Sequence, residues 1–348
     1  AGSLEQVSVT DHFSVPCGDI NERQETPIEG TVRFNDDLNT LEFFNGNEWR
    51  QFTYNQGQSG RGVFGGSSPG TAGNIDYITI STTGNAIHFG NFATGDARPG
   101  NGCFSSSTRG IFAIGYSTPA RVDEIEYITI ASAGNGIDFG DLSEAKNRIG
   151  GGCSSSTRGL FAGGRTSPSA DTNVIEYVQI QTIGNAIDFG DLTSARKSPC
   201  GTSSPIRGIF IGGGDPYTDE ISFVNIASKG NAVDFGGVAI FNGAYADAVS
   251  NGIRGLFGGG YAGPAITKQI GSINISSNGN SVFFGDLTLA RSYVSATSSL
   301  TRGVWSNGYE TRTTMDYVTI ASAGDAIDFG ESTVAGFDRG GVSDSHGG

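Results

Sequence analysis

Arg158-Gly159-Leu160-Phe161-Ala162-Gly163-Gly164 begins a phrase that this chain writes six times. Arg-Gly, an apolar residue and an aromatic return at Arg61, Arg109, Arg158, Arg207, Arg254 and Arg302, at spacings of 48, 49, 49, 47 and 48 residues. A repeat of this length, filled with several short strands, belongs to propeller blades rather than to helical solenoids.

Working outward through this copy, a polar loop leads to Ile175-Glu176-Tyr177-Val178-Gln179-Ile180, then Gly184-Asn185, then Ala186-Ile187-Asp188-Phe189-Gly190. Asp191-Leu192-Thr193-Ser194-Ala195-Arg196 and the run Cys200-Gly201-Thr202-Ser203-Ser204 complete it before Arg207. Each run is short, β-branched or aromatic, and bounded by Gly, Asn, Asp or Ser, which reads as a strand. Every unit therefore carries four strands in a meander. The Gly-Asn steps at Gly84, Gly134, Gly184, Gly230 and Gly279, with Gly324-Asp325 in the sixth copy, are expected at the tight hairpin turns. Ile175 and Tyr177 face one way, Val178 and Ile180 the other, so both faces of each sheet are expected to be covered.

The order of motifs resembles the kelch-type β-propeller over residues 57–348: Gly-Gly after an aromatic strand, a Tyr-bearing strand, then Ala-Arg before a Ser-rich strand. The tryptophan that kelch repeats carry late in the blade is replaced by Phe89, Phe139, Phe189, Phe235, Phe284 and Phe329. In that family the innermost strand precedes the Arg-Gly turn. The first copy here lacks one, and Phe337 to Ser345 has the composition to supply it. The expected fold is all-β: a six-bladed, kelch-like propeller of four-stranded blades, closed by the C-terminal strand, which would remove exposed strand edges.

Residues 1–56 differ. Gly30-Thr31-Val32-Arg33-Phe34-Asn35 leads to Leu41-Glu42-Phe43-Phe44, and Asn45-Gly46 is expected to turn the chain into Asn47-Glu48-Trp49-Arg50. Gly-x-x-Arg-aromatic-Asn, Leu-Glu-aromatic and Gly-x-x-Trp resemble a β-module of bacteriophage tail-fibre and other virion proteins. The phrase Gly-Asn-Ala-Ile-Asp-Phe-Gly-Asp-Leu is similar to repeats in structural proteins of cyanophages. These resemblances imply a virion component in which an N-terminal fibre-type module (1–56) binds other virion proteins and displays the propeller (57–348). The alternative for residues 30–53 is a small hairpin packed on the ring.

A net charge of −14 rules out a broad cationic surface for nucleic acid. No run of about 18 apolar residues suits membrane insertion, and the sequence shows no charged-then-apolar leader. Cys103, Cys153 and Cys200 fall at similar places in three inner strands and read as buried free thiols, with Cys17 apart. His12, His88 and His346 sit in unrelated contexts, so no metal or other cofactor is expected. The Asp-Phe-Gly-Asp phrases (Asp138 with Asp141, Asp188 with Asp191) read as turn caps, with calcium the competing reading. The repeated arginines are expected to bond neighbouring loops, and the Ser-rich runs to make a polar inner wall. Ser-x-Asp-x-Gly-x-x-Trp boxes, a Gly-x-Ser-x-Gly elbow and a Walker loop are missing, so an enzyme is not expected.

Binding is the expected task. The fourth copy replaces Asp-Leu-x-x-Ala-Arg by Gly237-Val238-Ala239-Ile240-Phe241-Asn242-Gly243-Ala244-Tyr245, on the face expected to carry Tyr217 and Tyr261. Tyr217, Phe241, Tyr245 and Tyr261, beside Asp215 and Asp219, form the candidate ligand site for a sugar, such as a host cell-surface glycan, or for a partner protein. A tail fibre or receptor-binding protein, trimeric as fibres usually are, heads the expectations. A capsid or tail decoration and a polysaccharide-degrading enzyme are the rivals.

Overall fold

The computed structural model describes residues 15–37, 40–51, 60–67, 73–214, 216–239, 244–262, 265–309 and 313–345. Two compact units divide the chain, Ala1–Gly57 and Gln58–Gly348. Among the described residues all regular structure is β, apart from one 3₁₀ turn at Ile20–Glu22.

In the first unit, Val32–Asn35, Thr40–Phe44 and Trp49–Gln51 form an antiparallel meander, and Cys17–Gly18 adds a parallel edge. The hairpin loop is longer than a two-residue Asn-Gly turn. Phe44 pairs with Trp49, and the Asn45 side chain accepts from the N–H groups of Asn47 and Glu48 at 3.0 and 2.9 Å. Strand alternation sends Arg33, Asn35 and Glu42 to one buried face. There the Glu42 carboxylate accepts from Arg23 at 2.5 Å and Asn35 at 3.1 Å, and Arg33 lies 3.5 Å away. The Arg23 hydrogen bond outweighs burial and holds the Glu42 carboxyl below its usual range. The motif's Arg33, Asn35 and Glu42 thus meet in one buried network within the unit.

The second unit contains six four-stranded antiparallel sheets among its described residues. The first comprises Gly340–Ser343, Arg61–Gly65, Asn74–Thr79 and Ile87–Asn91; the second Cys103–Ser105, Arg109–Ala113, Glu124–Thr129 and Ile137–Asp141. The third comprises Gly150–Ser154, Arg158–Ala162, Val174–Gln179 and Ile187–Asp191; the fourth Cys200–Ser203, Arg207–Ile211, Glu220–Asn225 and Val233–Gly237. The fifth comprises Asp247–Ser250, Arg254–Gly258, Gln269–Asn274 and Val282–Asp286; the sixth Ser295–Ser298, Arg302–Ser306, Thr314–Thr319 and Ile327–Glu331. In the first sheet the tail pairs with the opening strand, Gly340 opposite Gly65 and Ser343 opposite Gly62.

Apolar clusters fill the gaps between consecutive sheets. Phe104, Ile111 and Phe139 of the second sheet meet Phe161, Val178 and Ile180 of the third. The same arrangement recurs at each step, and Val304, Met315 and Phe329 of the sixth sheet pack on Phe64, Ile78 and Ile80 of the first. Burying a Phe, Leu or Ile side chain is worth about 1.5–3 kcal/mol, so these clusters dominate the cohesion of the unit.

Three sets of hydrogen bonds repeat the pattern. The hydroxyls of Ser105, Ser154, Ser203, Ser250, Ser298 and Ser343 donate to the carbonyls of Ser343, Ser105, Ser154, Ser203, Ser250 and Ser298 at 2.7–3.0 Å. After six steps the series returns to its starting residue. The arginines form a second series, as Arg61 reaches the carbonyls of Ile130 and Ala131, and Arg302 those of Ile80 and Ser81.

The Gly-Asn steps supply the third series, and here the expectation fails. The chain reverses earlier, for instance at Thr129–Ser132, where the Ser132 N–H donates to the Thr129 carbonyl. Gly134-Asn135 then lies along the fourth strand of the preceding sheet. The Gly134 N–H donates to the Phe89 carbonyl, and the Asn91 N–H to the Asn135 side chain at 3.1 Å. The approach is so close that a Cβ on Gly90 would stand 2.1 Å from the Gly134 carbonyl oxygen. The same approach explains the fourth-strand glycines Gly140, Gly190, Gly236, Gly285 and Gly330.

Candidate functional site

Each loop entering the first strand of a sheet ends near a residue in the left-handed region, and the second sheet's loop holds a further one, Asp96, at φ +54°. Gly100, Arg148, Ser198, Tyr245, Tyr293 and Asp338 have φ values of +55°, +53°, +48°, +63°, +56° and +57°. Five of these are not glycine, and each such residue costs of order 1 kcal/mol. The fold supplies the positions by repetition, while the side chains differ from copy to copy. All six residues line one small cavity of about 20 Å³. Beside it lies a recess of about 250 Å³ bounded by Arg98, Tyr116, Arg148, Tyr293, Phe337 and Asp338, among others.

An aromatic band extends from this recess. The Tyr245 and Tyr293 rings stack with centroids 4.1 Å apart and 25° between planes. Tyr261 meets Tyr245 edge-on at 6.0 Å, and Tyr217 stacks on Tyr261 at 5.7 Å. On the other side Phe337 meets Tyr293 at 5.5 Å and Tyr309 at 5.2 Å. Arg148 donates to the Tyr245 hydroxyl at 2.7 Å. Burial pushes the Tyr245 and Tyr293 phenols up, so both remain neutral. Loss of hydration pushes the Asp338 carboxyl up to about 6, against the pull of Arg148 and Arg98.

Of the candidate residues read from the sequence, Tyr217, Tyr245 and Tyr261 meet in this band. Asp219 is exposed, and its backbone carbonyl accepts from Val238. Asp215 and Phe241 lie outside the described residues. The sequence reading missed Arg148, Tyr293, Tyr309, Phe337 and Asp338. Aligning the copies on their inner serines would have found Tyr293, which stands five residues before Ser298 as Tyr245 stands five before Ser250.

Rings beside an arginine and a carboxylate can hold a polyhydroxylated ring by stacking and hydrogen bonds. Among the described residues lining the recess only Asp338 carries a carboxyl. No group of three or more His, Cys, Asp or Glu residues able to hold a metal ion occurs among the described residues. Asp138 bonds its own turn, accepting from the Gly140 N–H at 3.2 Å. Cys103, Cys153 and Cys200 are free and buried, and Cys17 is free and exposed.

No protein-family model matches the chain, and no curated protein matches its sequence.

Proposed function

We propose that the chain is a non-enzymatic structural subunit of a bacteriophage particle, of the tail-fibre or receptor-binding kind, whose second unit recognises a host-surface glycan. In this reading the six sheets are the blades of a kelch-like β-propeller. The return of the serine, arginine and asparagine series to their starting sheet, together with the apolar cluster between sixth and first sheets, supports that architecture. Residues 1–56 serve as the attachment module to other virion proteins, a role that rests on the resemblance of residues 30–53 to fibre modules.

The observation that carries recognition is the aromatic band beside five strained, non-glycine positions. A repeat fold has no need of left-handed Arg, Tyr and Asp residues at equivalent loops, where glycine would be easier, unless their side chains are used. A sugar ring would lie against Tyr293 and Phe337, with Arg148 and Asp338 binding its hydroxyls. Several copies in one particle would add avidity to a weak single-site affinity.

The test is retention of the full chain on surface polysaccharide from the host, with Tyr293→Ala as control. Binding that the substitution abolishes supports the reading. Equal retention of both proteins would move recognition elsewhere, and release of reducing ends would replace a binding protein by an enzyme. Labelling the chain in intact particles tests the virion assignment separately.

A further inference from the structure

Five sheets carry an aromatic residue at one position of the third strand: Tyr77, Tyr127, Tyr177, Phe223 and Tyr317. Each ring is held the same way. The guanidinium of its sheet's Arg-Gly arginine lies 4.5–4.6 Å from the ring centroid. The phenylalanine of the fourth strand meets the ring edge-on at 5.9–6.1 Å. In the fifth sheet the position is Ser272, paired with Val282 as Tyr177 is paired with Ile187.

The clamp survives without its ring. Arg254 still donates to the carbonyls of Ile320 and Ala321 at 2.9 Å, and its guanidinium lies 5.9 Å from the Phe284 centroid. A cleft of about 350 Å³ opens beside it, lined by Arg254, Ser272, Ile253, Val282 and Asn278 among others. Ile253 and Val282 are 68% and 61% exposed, so the cleft has apolar walls open to the solvent.

We propose that this cleft binds an aromatic ring supplied from outside, the phenol side chain of a tyrosine on a partner protein. The molecule carries five examples of the occupant, four of them tyrosines, each under an arginine held by the next sheet. A ring entering the fifth sheet meets an anchored guanidinium on one side and Phe284 on the other, a cation–π and edge-on pairing already made elsewhere in the fold. The site is independent of the glycan reading and uses none of its residues.

The probe is p-cresol, the side chain of tyrosine, titrated into the full chain while the Arg254 Nε–H and Val282 methyl NMR signals are followed. Saturable shifts are expected with a dissociation constant on the order of 1 mM. Ser272→Tyr, which supplies the ring internally, should remove them, and Ser272→Ala should retain them. Ser272→Phe, which copies the fourth sheet's Phe223, stands in if the tyrosine variant does not fold. Absence of saturation, shifts of equal size in the ring-filled variant, or a response to methyl glucoside in place of p-cresol would each overturn the proposal.

Discussion

The Ser105 hydroxyl donates a 2.7 Å hydrogen bond to the Ser343 carbonyl, joining positions 238 residues apart. The seam it belongs to is reinforced by a buried ion pair, Arg339 with Asp76 at 2.7 Å, both side chains fully buried. Arg339→Met leaves that carboxylate without its cation. Removing one partner of a buried pair costs about 3–5 kcal/mol, so the melting temperature should drop by roughly 10 °C. Adding Asp76→Asn should recover part of the loss. A single variant that melts with the wild type would show that the pair contributes nothing to the seam.

Gly90 and Gly134 face each other across two sheets with opposite tolerance. A Cβ at Gly90 would stand 2.1 Å from the Gly134 carbonyl oxygen, whereas one at Gly134 meets nothing within 4 Å. Gly90→Ala should cost about 3 kcal/mol through backbone displacement, and Gly134→Ala should stay within about 0.5 kcal/mol. Urea denaturation of the two variants checks the contrast, and equal midpoints would refute it.

Asp247 lines the cavity beside the serine series and has no cation partner among the bonds described. Burial pushes its carboxyl up to about 7, although the N–H groups of Ala248 and Ala296 pull the other way. The unfolded chain releases this proton at about pH 4, while the folded chain keeps it to about pH 7. The group's stabilising contribution is therefore full below the lower value and lost as pH rises through the window, at up to about 1.4 kcal/mol per pH unit. Asp247→Asn should flatten that slope. Parallel wild-type and variant stability curves across the window would show that the folded carboxyl titrates normally.

Ser198 and Tyr293 separate strain from use. Ser198→Gly relieves a left-handed φ of +48° and should add up to about 1 kcal/mol of stability without touching glycan retention. Tyr293→Gly relieves the same strain but removes stacking on Tyr245 and Phe337, so stability and retention should both decline. Denaturation midpoints together with polysaccharide retention read both quantities. Loss of retention in the Ser198 variant would mean that the backbone of the mouth, and not its rings, holds the ligand.

Much of the second unit was legible because the copies check one another. The strand runs, the buried cysteines and the bonding of arginines to neighbouring loops all follow from residue type and period. The pairing of Gly340–Ser343 with Arg61–Gly65 was legible because the first copy lacks a Ser-rich run before its arginine. Gly134-Asn135 was misread because a Gly-Asn pair favours a hairpin turn locally, whereas here its partner is a strand of the preceding sheet. Alternation puts Glu176 on the covered face of Val178 and Ile180, where a carboxylate needs a cation that its own strand does not supply. Lys146, from the loop entering the same sheet, reaches the buried carboxylate. Burial alone would raise that carboxyl, yet Lys146 and Ser143 hold it low. The aromatic band was half visible, since the bond from Arg148 to Tyr245 joins residues 97 positions apart.

The first sheet also imposes an order on synthesis. Arg61 and Asp344, 283 positions apart, share a hydrogen bond, so the ribosome must have emitted nearly all of the second unit before the opening strand acquires its second neighbour. Throughout that interval Arg61–Gly65 offers a bare edge to any other nascent chain emerging nearby. Slow translation or crowded polysomes should therefore penalise this protein through intermolecular strand exchange, with the clasp of one molecule completing the sheet of another.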